Sequence, residues 1–215
     1  MNTMNRLFID LDGPLLDGKR KHYYCYHRIL EKYDFRPINI EEYWKKKREM
    51  IKPLDLLKYS GAEDIYHKYL TEWLELIESP YALSLDKVQD GAINCLDNWK
   101  SCGFEMILVT MRKNKHALEL QLSSTGLENF FHTVLICDNA TNGVGKAGAV
   151  RSMFYESLPM DHSWWIGDTE ADWEAAHLLG WQILMVANGL RSAECLSKYR
   201  NCKIFPSISS IEIIP

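Results

Sequence analysis

The feature that most constrains the fold is an alternation of short apolar runs with amphipathic helical stretches, which becomes regular from about residue 90. Near-continuously apolar strands that are joined by helices form a parallel sheet with helices on both faces. The sequence therefore predicts an α/β fold whose core is a Rossmann-like, doubly wound parallel sheet. The predicted strands are residues 6–11, 104–110, 133–138, 163–167 and 182–187, with helices over about 90–102, 114–124 and 146–156 and a last one ending at Leu179.

One long segment, residues 15–89, interrupts this alternation. It contains no convincing strand but at least three helical stretches, one beginning at Asn39 with Glu42 three positions on, as in a capping box. Another, residues 63–78, is strongly amphipathic. We therefore expect an inserted all-helical cap. The predicted boundaries are residues 1–14 and 90–215 for the α/β core and residues 15–89 for the helical cap.

Charge and hydropathy exclude several kinds of partner. Lys and Arg number 25 against 29 Asp and Glu, a net charge of −4, so no strongly basic surface is expected for nucleic acid. The longest aliphatic runs, at 106–109 and 183–186, are far shorter than the ~18 residues of a membrane span, and no signal peptide is evident. We expect neither nucleic acid nor a membrane as partner. The sequence does not indicate the oligomeric state.

The cysteines and histidines give no sign of a zinc site. The six cysteines are scattered without a C-x-x-C pair, and the seven histidines lack the H-E-x-x-H and H-x-x-x-H spacings. Scattered core thiols are typical of a reducing compartment. We therefore predict a cytoplasmic protein with no transition-metal site.

Polar residues stand where the apolar strands end. Asp10 and Asp12 end the first strand, Thr110 ends another, and Asp168 follows Gly167 at the end of a third. The carboxyl ends of parallel strands share one edge of the sheet, where ligands bind. We therefore expect these side chains to converge there. Two further residues belong to the same set: Lys146, predicted to open a helix, and Asp172, one turn beyond Asp168.

Clustered carboxylates need a cation. At ~4 Å and an effective dielectric of about 20, each pair of like charges costs about 4 kcal/mol. A ligand set made only of oxygen selects a hard ion, and Mg²⁺ is the expected cofactor. A metal with an ammonium and a hydroxyl suits phosphoryl binding, while one carboxylate can attack phosphorus and another can handle the proton of the leaving group.

Four motifs in this order resemble those of the haloacid dehalogenase superfamily, in its phosphoglycolate-phosphatase-like branch. They are LFIDLDGPLLD (7–17), ILVT (107–110), the helix with Lys146 and IGDTEAD (166–172), with a helical insert after the first. The likeness implies that Asp10 is the nucleophile and that Asp12 is the acid and then the base. It also implies Mg²⁺ bound by Asp10, the backbone carbonyl of Asp12 and Asp168. The remaining implied roles are phosphoryl binding by Thr110 and Lys146, and an outer position at the metal for Asp172.

The resemblance implies a Mg-dependent phosphomonoester hydrolase that acts on a small phosphorylated metabolite through an aspartyl-phosphate. Asp12 argues against dehalogenation, because dehalogenases of the superfamily lack an Asp there. Pro14 stands where the family usually has Thr or a small β-branched residue, and it stiffens the entry to the cap. A sugar phosphomutase on the same core and a non-catalytic module with this fold are the alternatives. A G-x-G-x-x-G match at 143–148 is a weaker sign of dinucleotide binding, because it starts too far from its strand.

Several residues have a simpler structural interpretation. Arg112 is expected to be a solvated or salt-bridged surface residue, and the basic run 45–48 a solvated helix face. Trp164 and Trp165 are expected in the core, on opposite sides of their strand. His22 lies at the start of the cap, where a surface that selects substrate would be found.

Overall fold

The computed structural model describes residues 5–137, 142–154 and 163–213. The strands within them are β1 Arg6–Ile9, β2 Leu16–Asp17, β3 Lys87–Val88, β4 Glu105–Thr110, β5 Thr133–Ile136, β6 Ser163–Gly167, β7 Gln182–Val186 and β8 Cys202–Phe205. Six of these strands form a sheet of order β5-β4-β1-β6-β7-β8, and each neighbouring pair is parallel. The α/β fold with a doubly wound parallel sheet is thus confirmed. A separate antiparallel ribbon pairs β2 with β3.

Alternation along β1 divides the core into two apolar layers. Leu7 and Ile9 face one layer, which contains Leu96, and Phe8 faces the other. The side chains of Leu7, Phe8 and Ile9 are fully buried, as expected of a central strand covered on both sides. On β6, Trp165 belongs to the second layer and Trp164 packs against the first, so the two tryptophans lie on opposite faces as predicted.

Helices cover both faces of the sheet. Their bounds are α1 Lys19–Lys32, α2 Ile40–Arg48, α3 Pro53–Lys58, α4 Tyr66–Leu76, α5 Pro80–Ser84, α6 Ala92–Ser101, α7 Lys115–Ser124, α8 Gly143–Phe154, α9 Glu170–Leu179 and α10 Ala193–Leu196. Helix α8 begins at Gly143, three residues before the predicted start, so Lys146 lies in its first turn and does not open it. Residues 155 and 156 of the predicted helix lie outside the described residues, as does Asp138 of the predicted strand 133–138.

Helices α1 to α5 form what we term the helical segment, residues 19–84, between β1 and β4. Its own apolar cluster contains Tyr26, Tyr43 and Leu57, all fully buried. Asn39 caps α2 as predicted, accepting a hydrogen bond from the N–H of Glu42 at 3.0 Å. The expectation that 15–89 holds no strand was wrong, because the two-residue strands β2 and β3 pair where the chain enters and leaves this region.

The sixth strand of the sheet, β8, was not predicted. Its sequence, CKIF, is short and only partly buried, so it lacks the continuous apolar run that revealed the others. The six cysteines are all free thiols. Among the helices of residues 5–137, 142–154 and 163–213, none has the length and apolar character that crossing a membrane requires.

Candidate active site

The chain switches direction across the sheet at β1. From β1 it passes to β4 and β5 on one side, and then returns to β6 on the other. Ligands of open α/β sheets bind at such a switch point, beyond the carboxyl ends of the strands. Asp10 is the first residue past β1 and is held there by two backbone contacts. Its N–H donates to Ile166 O at 3.0 Å, and its Oδ1 accepts from the N–H of Leu11 at 2.9 Å.

Lys146 joins Asp10 to Asp172. Its Nζ lies 2.8 Å from Asp10 Oδ2 and 2.6 Å from Asp172 Oδ1. Lys146 and Asp172 are fully buried and Asp10 is nearly so. The first turn of a helix is unfavourable for a cation because of the helix dipole. The two carboxylates account for an ammonium there.

Asp168 lies beside this group, in a space that glycines keep open. A Cβ at Gly13 would stand 2.1 Å from Asp168 Oδ2, and one at Gly189 would stand 2.0 Å from the same atom. Asp168 Oδ2 accepts a hydrogen bond from the N–H of Leu190 at 2.5 Å. Its Oδ1 is buried and has no hydrogen-bond partner. Side chains at the two glycine positions would displace Asp168.

Asp172 is fully hydrogen-bonded and holds its neighbours in place. Its Oδ1 accepts from Lys146 and from Trp165 Nε1, the latter at 3.1 Å. Its Oδ2 accepts from the N–H of Asp168 at 3.2 Å, and from the N–H and hydroxyl of Thr169 at 3.1 and 2.8 Å. With every acceptor position engaged, Asp172 suits a supporting role better than direct metal binding.

Thr110 ends β4 at the same edge of the sheet. The register pairs Ile9 with Leu108, so Thr110 lies one residue beyond the level of Asp10. Its side chain is buried, and its Oγ1 accepts a hydrogen bond from the N–H of Arg112 at 3.2 Å.

Asp12 belongs to a different ion-pair group. Lys21 Nζ of helix α1 lies 2.7 Å from its Oδ1, and Arg112 donates from Nε to Oδ2 and from Nη2 to Oδ1, both at 2.7 Å. Asp86, fully buried, accepts from Lys21 at 2.7 Å and from Arg112 at 3.1 Å. The expectation of a surface position for Arg112 was wrong, because the guanidinium is buried between two carboxylates. The alternative of a salt bridge was right.

The two groups differ in electrostatic balance. Burial raises the pKa of Asp10 to about 7 despite the opposing effect of Lys146. Burial, with Asp172 and Asp10 adding to it, raises the pKa of Asp168 well above its usual value. Burial would also raise the pKa of Asp12, but Arg112 and Lys21 outweigh it and hold that pKa below its usual range. Positive charge is thus in deficit at Asp10 and Asp168 and is sufficient at Asp12.

A divalent cation fits this deficit. One carboxylate oxygen from each of Asp10, Asp168 and Asp172 lies within 4.8 Å of the other two, and Asp172, whose own acceptor positions are engaged, supports the pair Asp10 and Asp168. Asp168 also presents the buried, unpartnered Oδ1. Oxygen donors without His or Cys are the set that a hard ion prefers.

A cavity of about 280 Å³ opens between this edge of the sheet and the helical segment. His22 of α1 is buried in its wall, its Nδ1 has no hydrogen-bond partner, and its ring stacks on Trp73 with centroids 5.6 Å apart. Asp10 and Asp12 both line this cavity. The other lining residues are Lys21, Leu74, Ile77, Glu78, Met111, Arg112, Lys113, Thr169 and Leu190.

The helical segment also contacts the loop after β7. Arg48 donates from Nη2 to the carbonyl oxygens of Ala187 and Arg191. Lys47 is only partly exposed, and its Nζ lies 5.4 Å from the ring centroid of Trp73. The interpretation of 45–48 as a solvated helix face was therefore wrong for these two residues.

Sequence reasoning missed Lys21, Asp86 and Trp73. Lys21 lies in a run of basic residues, and Asp86 lies in a linker, so neither carries a motif that marks it as buried. Helical spacing placed Trp73 on an amphipathic helix without indicating which surface it would meet.

A comparison of this chain with models of known protein families identifies its family. The model of haloacid dehalogenase-like hydrolases matches residues 7–186, most of the chain and all four motifs. The chain belongs to this hydrolase family. The resemblance to the haloacid dehalogenase superfamily is thus confirmed. A comparison with curated protein sequences returned no significant match.

Solved structures share the fold over nearly the whole chain. A haloacid dehalogenase-like hydrolase from Streptococcus pneumoniae is 16% identical, with a TM-score of 0.74 and coverage of 95% of this chain and 94% of that one. A predicted phosphatase from Clostridium acetobutylicum is 21% identical, with a TM-score of 0.71 and coverage of 96% and 95%. A predicted phosphoglycolate phosphatase from Haemophilus somnus is 15% identical, with a TM-score of 0.73 and coverage of 97% and 96%. At these identities the likeness extends to the fold alone.

Proposed function

We propose that this hydrolase is a Mg²⁺-dependent phosphatase that removes the phosphoryl group of a small phosphorylated metabolite through a covalent aspartyl-phosphate. One observation carries the proposal. Asp10 stands at the switch point of the sheet, paired with Lys146 and next to Asp168, while Asp12 is held in a separate ion-pair group on the same cavity. The two carboxylates of the first motif thus have different surroundings, as two different roles require.

In the first step a carboxylate oxygen of Asp10 attacks phosphorus and the bond from phosphorus to the leaving oxygen breaks. The family resemblance assigns to Asp12 the supply of a proton to a leaving alcohol, which requires a protonated Asp12 and hence a weaker hold by Arg112 and Lys21 than the structure shows. In the second step a water attacks the same phosphorus, Asp12 accepts its proton, and Asp10 departs as a free carboxylate with inorganic phosphate as product. Lys146 and the hydroxyl of Thr110 would hold the phosphoryl oxygens.

Mg²⁺ would be held by Asp10, Asp168 and the backbone carbonyl of Asp12, and it would supply positive charge opposite the phosphoryl oxygens. The buried, unpartnered Oδ1 of Asp168 supports this assignment. Asp172 keeps Lys146 and the backbone N–H of Asp168 in place through its own hydrogen bonds.

The helical segment would act as a cap that selects the leaving group. His22 and Trp73 form one wall of the cavity, and its volume of about 280 Å³ lies near the lower end of ligand pockets. Burial first, and Lys47 second, lower the pKa of His22 well below its usual value, so its imidazole is neutral at neutral pH. A small leaving group that hydrogen-bonds to a neutral ring nitrogen suits this wall.

The test is hydrolysis of p-nitrophenyl phosphate. We expect turnover with Mg²⁺, loss of turnover in EDTA, and recovery when Mg²⁺ is restored. Asp10→Asn should lower kcat by about 10³-fold or more, because removal of a nucleophile costs at least ~4 kcal/mol of barrier. Asp97→Asn, a change on the exposed face of α6, is the matched control and should leave kcat unaltered.

Two results would count against the proposal. They are turnover that is independent of metal, or an Asp10→Asn variant within about tenfold of wild type. A panel of phosphoglycolate, sugar phosphates and nucleoside monophosphates would then define the substrate. Isomerisation of a sugar phosphate without release of phosphate would favour a phosphomutase.

A further inference from the structure

Asp12, Lys21, Asp86 and Arg112 form a compact group, which we term the Asp12 cluster. Two carboxylates and two cations alternate in it, with each of the four cation-to-carboxylate contacts between 2.7 and 3.1 Å. The side chains of Asp86, Lys21 and Arg112 are 0%, 2% and 8% exposed, whereas that of Asp12 is 24% exposed. Asp12 is therefore the member of the cluster most exposed to a bound substrate or water.

The cluster fixes the orientation of the Asp12 carboxylate. Its Oδ1 accepts from Lys21 Nζ and Arg112 Nη2, and its Oδ2 accepts from Arg112 Nε. The two oxygens of a carboxylate offer about four acceptor positions. Three are occupied, so one acceptor position remains, on Oδ2. The two-point hold by Arg112 determines where that position lies, because the guanidinium and carboxylate are both planar.

Asp86 holds the two cations in turn. Its Oδ2 accepts from Lys21, from Arg112 and from Gln121 Nε2, the last at 2.8 Å. Asp86 follows α5, at the end of the helical segment, and Lys21 lies at its beginning. Arg112 follows β4 in the core. The cluster therefore ties Asp12 to both ends of the helical segment.

We propose that Arg112, supported by Asp86 and Lys21, is a positioning residue that aims the free acceptor position of Asp12 Oδ2 at the water of the second step. This inference rests on the proposed function. In that step the water oxygen forms a bond to phosphorus and the bond from phosphorus to Asp10 breaks. The water proton passes to Asp12 Oδ2, so phosphate and a free Asp10 carboxylate are the products.

Arg112→Lys tests the inference, because lysine keeps the charge but not the two-point hold. With p-nitrophenyl phosphate the leaving nitrophenolate needs no proton, so the first step proceeds without Asp12. General base catalysis contributes a rate enhancement of about 10²- to 10⁴-fold. We therefore expect a misoriented Asp12 carboxylate to lower kcat about 30-fold. KM should fall with it, leaving kcat/KM within about threefold of wild type. Rapid mixing should show a burst of about one nitrophenolate per enzyme, because the aspartyl-phosphate accumulates.

Asp86→Asn is the second variant and should show the same pattern, with a burst and a parallel fall of kcat and KM. It carries the test if Arg112→Lys does not fold, as judged by circular dichroism. Arg6→Lys is the matched control, because Arg6 pairs with Glu105 at 2.6 Å at the opposite end of β1 and β4. It should leave kcat, KM and the size of any burst at their wild-type values.

Two outcomes separate the inference from the proposed function. If the wild type hydrolyses the substrate but the folded variants lose kcat/KM at unchanged KM and without a burst, the positioning role is refuted and the function stands. If the wild type shows no Mg²⁺-dependent hydrolysis, the proposed function fails and this inference fails with it.

Discussion

Replacing Lys146 by Met should strongly destabilise the protein when no metal is present. The Nζ of Lys146 lies 2.8 and 2.6 Å from oxygens of Asp10 and Asp172, and the lysine side chain is fully buried. At an effective dielectric of about 20, each attraction is about 6 kcal/mol, much of which offsets the cost of desolvation. Breaking a buried ion pair by removing one partner typically costs ~3–5 kcal/mol, because the remaining charges stay buried. We expect a loss in this range for Lys146→Met.

Urea unfolding in EDTA, followed by circular dichroism, measures this loss. Lys19→Met is the matched control, because the Lys19–Glu41 pair is as short, at 2.7 Å, but its side chains are 24% and 77% exposed. We expect about 1 kcal/mol or less for the control. Mg²⁺ should restore part of the stability of Lys146→Met, since a cation replaces the missing positive charge. A loss no larger than that of the control would refute the view that Lys146 neutralises the site.

Three further predictions concern Gly13, Lys47 and the binding of beryllium fluoride. Gly13→Ala should lower the free energy of unfolding by at least ~2 kcal/mol and abolish activity, because the φ of Gly13 is +104° and the new Cβ would stand 2.1 Å from Asp168 Oδ2. Gly103→Ala is the control: its φ is +82°, but a Cβ there would meet no neighbouring group within 4 Å. It should therefore cost less stability and leave turnover intact. Burial and then Arg191 lower the pKa of Lys47 to about 8 from 10.5, so the folded state gains stability relative to the unfolded state as pH rises from 8 to 10.5. Lys47→Met should therefore stabilise the protein at pH 7 and by less at pH 10, and equal gains in urea unfolding at the two pH values would contradict this. Beryllium fluoride, which mimics a phosphoryl group, should raise Tm only with Mg²⁺ present, and an equal rise in EDTA would contradict the coupling of the two sites.

The arrangement of the sheet was predictable because the apolar sequence of its central strands shows that they are buried. Residues 106–109 and 164–167 are apolar without interruption, and a run of this kind is stable only when both faces of the sheet are covered. Strand β8 lacked that signal and was missed. The start of α8 was misjudged by three residues because Gly143 and Gly145 are weak helix formers, yet they lie within the first turn.

The same logic predicted that Asp10, Thr110 and Asp168 lie at one edge of the sheet, since parallel strands end together. Family membership followed from the residues at those ends. In contrast, nothing local revealed the Asp12 cluster. Arg112 lies 100 residues from Asp12 in sequence, and Asp86 lies 65 residues from Lys21.

The physical reason is that burial of an apolar side chain is favourable without any specific partner, whereas a charged side chain is buried only when the fold brings it a partner. The sequence by itself therefore determined five of the six strands of the sheet, its ligand-binding edge and the carboxylates at that edge. Only the tertiary structure decided that Lys21, Asp86 and Arg112 lie inside the protein, because their burial depends on how the helical segment meets the sheet.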